Sequence, residues 1–177
     1  MKHYSVFLLA VLLTACGGQE EAPKAAEAAQ TPKPVFTVKH IDDTVIQGLS
    51  LGAATEDKTP DGKKRLIYPI GGLAGGNVVE LIGDHPADLE TVSGKCMESD
   101  GAGQSSGWAK EGTCYALFSK MAANVAANST ELTDYLLSHA GLQPYQAGKG
   151  GYAAVQNGRY ILEVDSDGLF FFRRRHY

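Results

Sequence analysis

The apolar residues between positions 113 and 139 recur with a helical period, whereas those on either side recur with the period of strands. Cys114, Leu117, Phe118, Met121 and Val125 keep the i, i+3, i+4, i+7, i+11 spacing of one buried helical stripe, with Thr113 placed to cap it. A second helix follows in "NSTELTDYLLSHAG". Asn128 and Glu131 stand three apart as in a capping box, Leu132, Tyr135, Leu136 and His139 form the apolar side, and Gly141 suits the end.

The flanks read as β. "VFTVKH" alternates from Val35, "RLIYPI" and "NVVELIG" are β-branched or apolar runs, and "LETVSGK" leads into Cys96. A further strand, broken at Gly48, is expected in "TVIQGLSL", and "GGLAGG" and "GDHPAD" have turn composition. After the helices come "YAAV", "RYILEV" and "LFFFRR". Their links carry Asn157-Gly158 and Asp167-Gly168, residue pairs that tolerate the positive φ of tight hairpin turns. The expected fold is α+β: N-terminal β-strands, two central helices, then a C-terminal antiparallel β-meander.

The chain before this domain reads differently. Lys2 supplies a positive start and Val6 to Leu13 an apolar run, too short for a membrane span of about 20 residues. It ends in Leu13-Thr14-Ala15-Cys16. This stretch resembles the signal and lipobox of bacterial lipoproteins. The resemblance covers residues 1–18 and implies cleavage before Cys16, a diacylglyceryl group on its sulfur and acylation of the new amine. Each buried CH₂ of such chains contributes roughly 0.8 kcal/mol, so several chains anchor permanently. Gly17 stands where an aspartate typically marks inner-membrane retention in the enteric pattern, which points to the outer membrane. Residues 1–15 are then a signal peptide and 16–34 a lipidated cysteine with a disordered Ala/Glu/Pro tether. Residues 17–34 contain no large apolar side chain to offset the entropy of ordering. Residues 35–177 form one domain.

Cys96 and Cys114 remain. In the oxidising compartment that the resemblance implies, the pair is expected as a structural disulfide closing the Gly/Ser-rich segment "MESDGAGQSSGWAKEGT". Neither Cys-x-x-Cys redox spacing nor a zinc ligand set is present. Loss of Lys2 with the signal leaves 15 basic against 20 acidic side chains, net −5. That charge gives no general reason to bind nucleic acid.

Few motifs carry chemistry. Gly103-Gln104-Ser105-Ser106-Gly107 satisfies G-x-S-x-G, but "ESDGAG" before it is not a strand. Asp134 and His139, which would complete a triad in chain order, share one helix. Two His/Asp clusters, His40/Asp42/Asp43 and Asp84/His85/Asp88, could help ligate a cation, although solvated turn residues are commoner. "DSDG" at 165–168 lacks the glutamate that closes a calcium loop, and no Gly-Lys-Ser/Thr follows "GGLAGGN" as a phosphate cradle would need.

The C-terminus departs most from the mild composition. Phe170 and Phe172 can face the core, leaving Arg173, Arg174, Arg175 and Tyr177 as a candidate basic-aromatic patch or as the charged end of an edge strand. Trp108, Tyr145, Tyr152 and Tyr160 could extend the patch, and "QPYQAGKGG" from Gln143 to Gly151 is either a binding loop or a plain connection. The expected function is non-enzymatic: a lipoprotein that binds or assembles with an envelope polymer, a membrane protein or a host protein, as an inhibitor or adhesin. Its expected partners are the outer membrane, through the lipid, and an anionic glycan, lipopolysaccharide or a protein. No cofactor is implied. The alternative is a small envelope hydrolase using Ser105 or a His/Asp metal site.

Overall fold

A computed structural model describes residues 34–38, 40–99, 105–106, 112–139 and 151–175, apart from the side chains of 99, 105, 106, 138, 139, 152 and 153. The strands are β1 (Thr55–Lys58), β2 (Lys64–Pro69), β3 (Val78–Ile82), β4 (Thr91–Lys95), β5 (Glu98–Ser99), β6 (Ser105–Ser106), β7 (Tyr152–Gln156), β8 (Tyr160–Asp165) and β9 (Leu169–Arg174). Helices α1 (Thr113–Val125) and α2 (Ser129–His139) interrupt them. The fold is α+β, as the change of period predicts.

Seven strands form one sheet in the order β1-β2-β3-β4-β9-β8-β7, every neighbouring pair antiparallel. Two meanders therefore meet at β4 and β9. β5 and β6 make a separate two-stranded ribbon.

Alternation along the strands sorts side chains onto two faces. Val79, Leu81, Val92, Phe170, Phe172, Leu162, Val164 and Val155 are buried together with Leu117, Phe118 and Met121 of α1 and Leu132 and Leu136 of α2. Phe118 sits over the middle of β9, its ring 6.2 Å from that of Phe170 edge-on and 5.8 Å from that of Phe172 stacked. Such aromatic pairs add about 0.5–1.5 kcal/mol beyond the area they bury. Gly94 lies opposite Phe170 in the register, and a Cβ there would stand 2.3 Å from the Phe170 ring. The glycine in "LETVSGK" makes room for that ring.

Three expectations about elements change. "VFTVKH" is not a sheet strand. Residues 34–38 run without regular structure, and Phe36 and Val38 drop into the core. Side-chain amides hold this segment: Asn128 Nδ2 donates to the Val35 carbonyl and Asn157 Nδ2 to that of Val38 at 2.7 Å. "TVIQGLSL" forms a 3₁₀ turn at Asp43–Ile46, started by Asp42, whose carboxylate accepts from the Thr44 amide at 2.9 Å. Leu51 then makes only an isolated bridge to Ile70. Finally, Thr113 does not cap α1. The cap residue is Gly112, which has no side chain, and Glu98 supplies the missing acceptor by receiving the Thr113 amide at 2.7 Å and the Cys114 amide at 3.4 Å. A carboxylate suits the partial positive charge at that helix end.

Candidate functional site

Cys96 and Cys114 form the expected disulfide, with Cα atoms 5.4 Å apart and both residues fully buried. It joins the end of β4 to the first turn of α1, where the β2–β3 loop and the start of β5 also converge. Asn77 braces this corner, donating from Nδ2 to the Ala74 carbonyl at 2.9 Å and accepting the Met97 amide on Oδ1 at 2.6 Å. From the other side the β8–β9 turn closes on it, with the Cys96 amide donating to the Gly168 carbonyl at 2.9 Å.

A cleft of about 560 Å³ opens at this corner. Its walls are the loop Gly72–Asn77 on one side and Lys95, Met97, Glu98 and Thr113 on the other. The loop wall is mostly backbone and small side chains. The opposite wall offers the exposed Lys95 ammonium, the thioether of Met97 and the Glu98 carboxylate, which is directed to the α1 amides. Nothing in the composition of "GGLAGG" beyond its turn character marks it as a cleft wall. The signal that could have found it is its closeness in sequence to a strand end and, through the disulfide, to a helix start.

Arg173 and Arg174 of the C-terminal patch point to opposite sides, and each pairs with a carboxylate. Arg173 lies on the sheet face away from the helices and grips Glu163 with two bonds, Nε to Oε2 at 2.7 Å and Nη2 to Oε1 at 3.0 Å. Glu163 is only 8% exposed there, beside Phe171, one of two large apolar side chains left exposed among the described residues. Arg174 alternates to the other side and pairs with Asp88, while its amide donates to the Glu90 carbonyl at 2.8 Å. The Arg175 amide donates to the Arg159 carbonyl at 2.8 Å. Tyr177 lies outside the described residues, as do Trp108 and Tyr145, and of Tyr152 the backbone alone is described, in β7. Tyr160 is buried in the core.

The two His/Asp clusters are brought side by side. The Asp43 amide donates to the Pro86 carbonyl at 2.8 Å, the Leu89 amide to that of Ile41 at 3.0 Å, and His40 Nε2 bonds the Ala87 carbonyl. His85 Nδ1 accepts the Ala87 amide at 3.1 Å. The His40, His85 and Asp42 side chains thus bond loop backbone, and that of Asp88 pairs with Arg174. Among the described residues no group of three His, Cys, Asp or Glu is placed to hold a metal ion.

The backbone of Ser105 is extended in β6 and paired with Ser99, unlike the strand-to-helix turn that a G-x-S-x-G nucleophile occupies. Asp134 accepts the Tyr115 hydroxyl at 3.0 Å, and burial together with Asp134 pushes that phenol above its usual range. The side chain of His139 lies outside the described residues, as does the loop at 141–150 that contains most of "QPYQAGKGG". In "DSDG", Asp165 Oδ1 accepts the Asp167 and Leu169 amides at 2.9 and 3.0 Å, a turn cap.

The chain matches no protein-family model, and no curated protein or solved structure is significantly similar to it.

Proposed function

We propose that this chain is a lipid-anchored envelope protein whose folded domain binds a partner without transforming it. The observation that carries the reading is Leu13-Thr14-Ala15-Cys16 at the end of a short apolar run, followed by a segment with no large apolar residue. Among the described residues no helix is long and apolar enough to cross a membrane. A diacylated cysteine needs none.

The binding reading draws support from how the reactive side chains are spent. Asp42, Asp88, Asp134, Glu98 and Glu163 each accept from a partner within the fold. A general base or nucleophile instead needs a free partner converging on one point. Among the described residues the cleft at the disulfide is lined by backbone, small or flexible side chains, Lys95, and Asn77 and Glu98, both already engaged by backbone partners, a composition for contact rather than for chemistry.

The experiment uses the full-length protein in intact cells, treated with a membrane-permeant amine crosslinker, and a parallel sample labelled with a broad serine-reactive probe. Binding predicts one recurrent crosslinked species that a Cys16→Ala variant, released from the membrane, captures less well. Labelling that disappears in Ser105→Ala would overturn it in favour of the hydrolase.

A further inference from the structure

We propose that the cleft beside the disulfide is a docking groove for an extended peptide that lays its backbone against Gly75 and presents a carboxylate to Lys95. The inference rests on the binding-module reading and names its site. It starts from a glycine that the fold does not require. Glycine is needed where φ is positive or where a Cβ would strike a neighbour. Gly72 and Gly76 meet the first condition, with φ of +82° and +91°. Gly71 meets the second, since its Cβ would stand 2.9 Å from the Ser50 carbonyl oxygen.

Gly75 meets neither. Its φ is not in the left-handed region, and nothing lies within 4 Å of where its Cβ would be. Among the glycines whose surroundings are described it is alone in this. Alanine at such a position stabilises by restricting the unfolded chain, so folding gives no reason to keep glycine. What glycine does provide is bare peptide backbone on the wall of the cleft, open to close approach by a ligand.

The rest of the lining names the ligand. Lys95 is exposed and, among the described residues, is the one cation on the cleft wall. Glu98, its carboxylate, is engaged by the α1 amides and by the partial positive charge of that helix end. The groove therefore favours an anion at the Lys95 end. Half-buried Leu73 and Met97 offer apolar contact, and methionine adapts to varied side chains. Among the described residues no aromatic side chain lines the cleft to stack on a sugar or base. Exposed amides beside an apolar contact and one charge are what an extended peptide uses, with main-chain bonds for affinity and side-chain pockets for specificity.

The test pans a displayed library of random linear peptides on the full-length lipidated protein in detergent micelles. The enriched sequence is then synthesised, and its affinity measured for the parent, Gly75→Val, Lys95→Gln and, as a charge-matched control at the far side of the sheet, Lys64→Gln. The expected result is enrichment of an acidic residue near an apolar one. Affinity should fall about tenfold or more in both cleft variants but not in the control, with thermal midpoints no lower than the parent's. Changing the acidic residue of the peptide to its amide should remove the difference between parent and Lys95→Gln.

Peptides that bind the cleft variants as well as the parent would overturn the groove while leaving the binding-module reading intact. A crosslinked partner in cells with no enriched peptide would overturn the ligand class. A lowered midpoint in Gly75→Val would mean that the protein's own chain fills the cleft, which also overturns the proposal.

Discussion

Replacing Cys96 and Cys114 together by alanine removes the covalent tie between β4 and α1, and the size of the effect can be worked out. The cysteines are 18 residues apart. In the chain-entropy description, opening a loop of that length returns roughly 3 kcal/mol of freedom to the unfolded chain. Both residues are fully buried in the core, so their loss also removes packing there. The expected cost is about 3–5 kcal/mol, a large share of the roughly 5–15 kcal/mol that holds a domain folded. For a domain of this size that corresponds to a fall in thermal midpoint of about 10–17 °C. Urea unfolding of the oxidised parent and the double variant measures the difference, and a steeper denaturant dependence in the variant would show the unfolded chain expanding. A loss below about 1 kcal/mol would refute the reasoning, because the corner would then be held by its hydrogen bonds without the crosslink.

Other perturbations follow from single contacts. Glu98→Ala strips the acceptor from the first turn of α1 and should cost about 0.5–2 kcal/mol by urea unfolding, whereas Thr113→Ala should cost little. Gly94→Ala would force the Phe170 ring and the Val78 carbonyl, each 2.3 Å from the new Cβ, to move. At least the 1–3 kcal/mol typical of overpacking should be lost, again by urea unfolding. Burial raises the Asp165 carboxyl above the ordinary carboxylate range, outweighing the Leu169 and Asp167 amides that lower it. Ionising it therefore costs the folded state more than the unfolded one, so this residue lowers stability as pH rises through and above that range. Asp165→Asn, which keeps the accepting oxygen, should gain relative to the parent at pH 7, with the gain vanishing at acidic pH. Thermal midpoints across pH measure it.

The helices and the C-terminal meander were legible because each has a local cause. A helical stripe, an Asn-Gly turn and alternating phenylalanines need nothing from distant residues. Phe170 and Phe172 are accordingly buried and Phe171 exposed. Elements that depend on remote partners were not legible. β1 reads "TEDK", with no apolar residue, and forms by antiparallel pairing across a hairpin to the edge of β2, where Asp57 and Arg65 also meet. Val35–Val38 has strand composition but is fixed off the sheet by Asn128 and Asn157, more than 90 residues away. Glu98 as a helix cap was equally hidden, because capping patterns are sought within a few residues of a helix and here the acceptor arrives through the disulfide.

The same contrast holds for the candidate site. Arg173, Arg174 and Arg175 look like one basic patch in sequence. Strand alternation sends the first two to opposite sides, where Glu163 and Asp88 meet them. Conversely, the two His/Asp clusters are far apart in sequence and adjacent in space, yet both histidines are taken up in loop hydrogen bonds and Asp88 in the pair with Arg174. The cleft depends on which glycines the fold consumes, and that becomes visible only when the surroundings of each are known.

The central claim, an anchored envelope protein, is tested most directly by the intact mass of the protein purified in detergent from bacterial membranes. The account predicts a chain that begins at Cys16 and carries a diacylglyceryl group plus an amide-linked acyl chain, and a Cys16→Ala variant that lacks both and is recovered in the soluble fraction. An unacylated mass in the membrane-derived protein, or a Cys16→Ala variant that stays with the membrane unchanged, would contradict it.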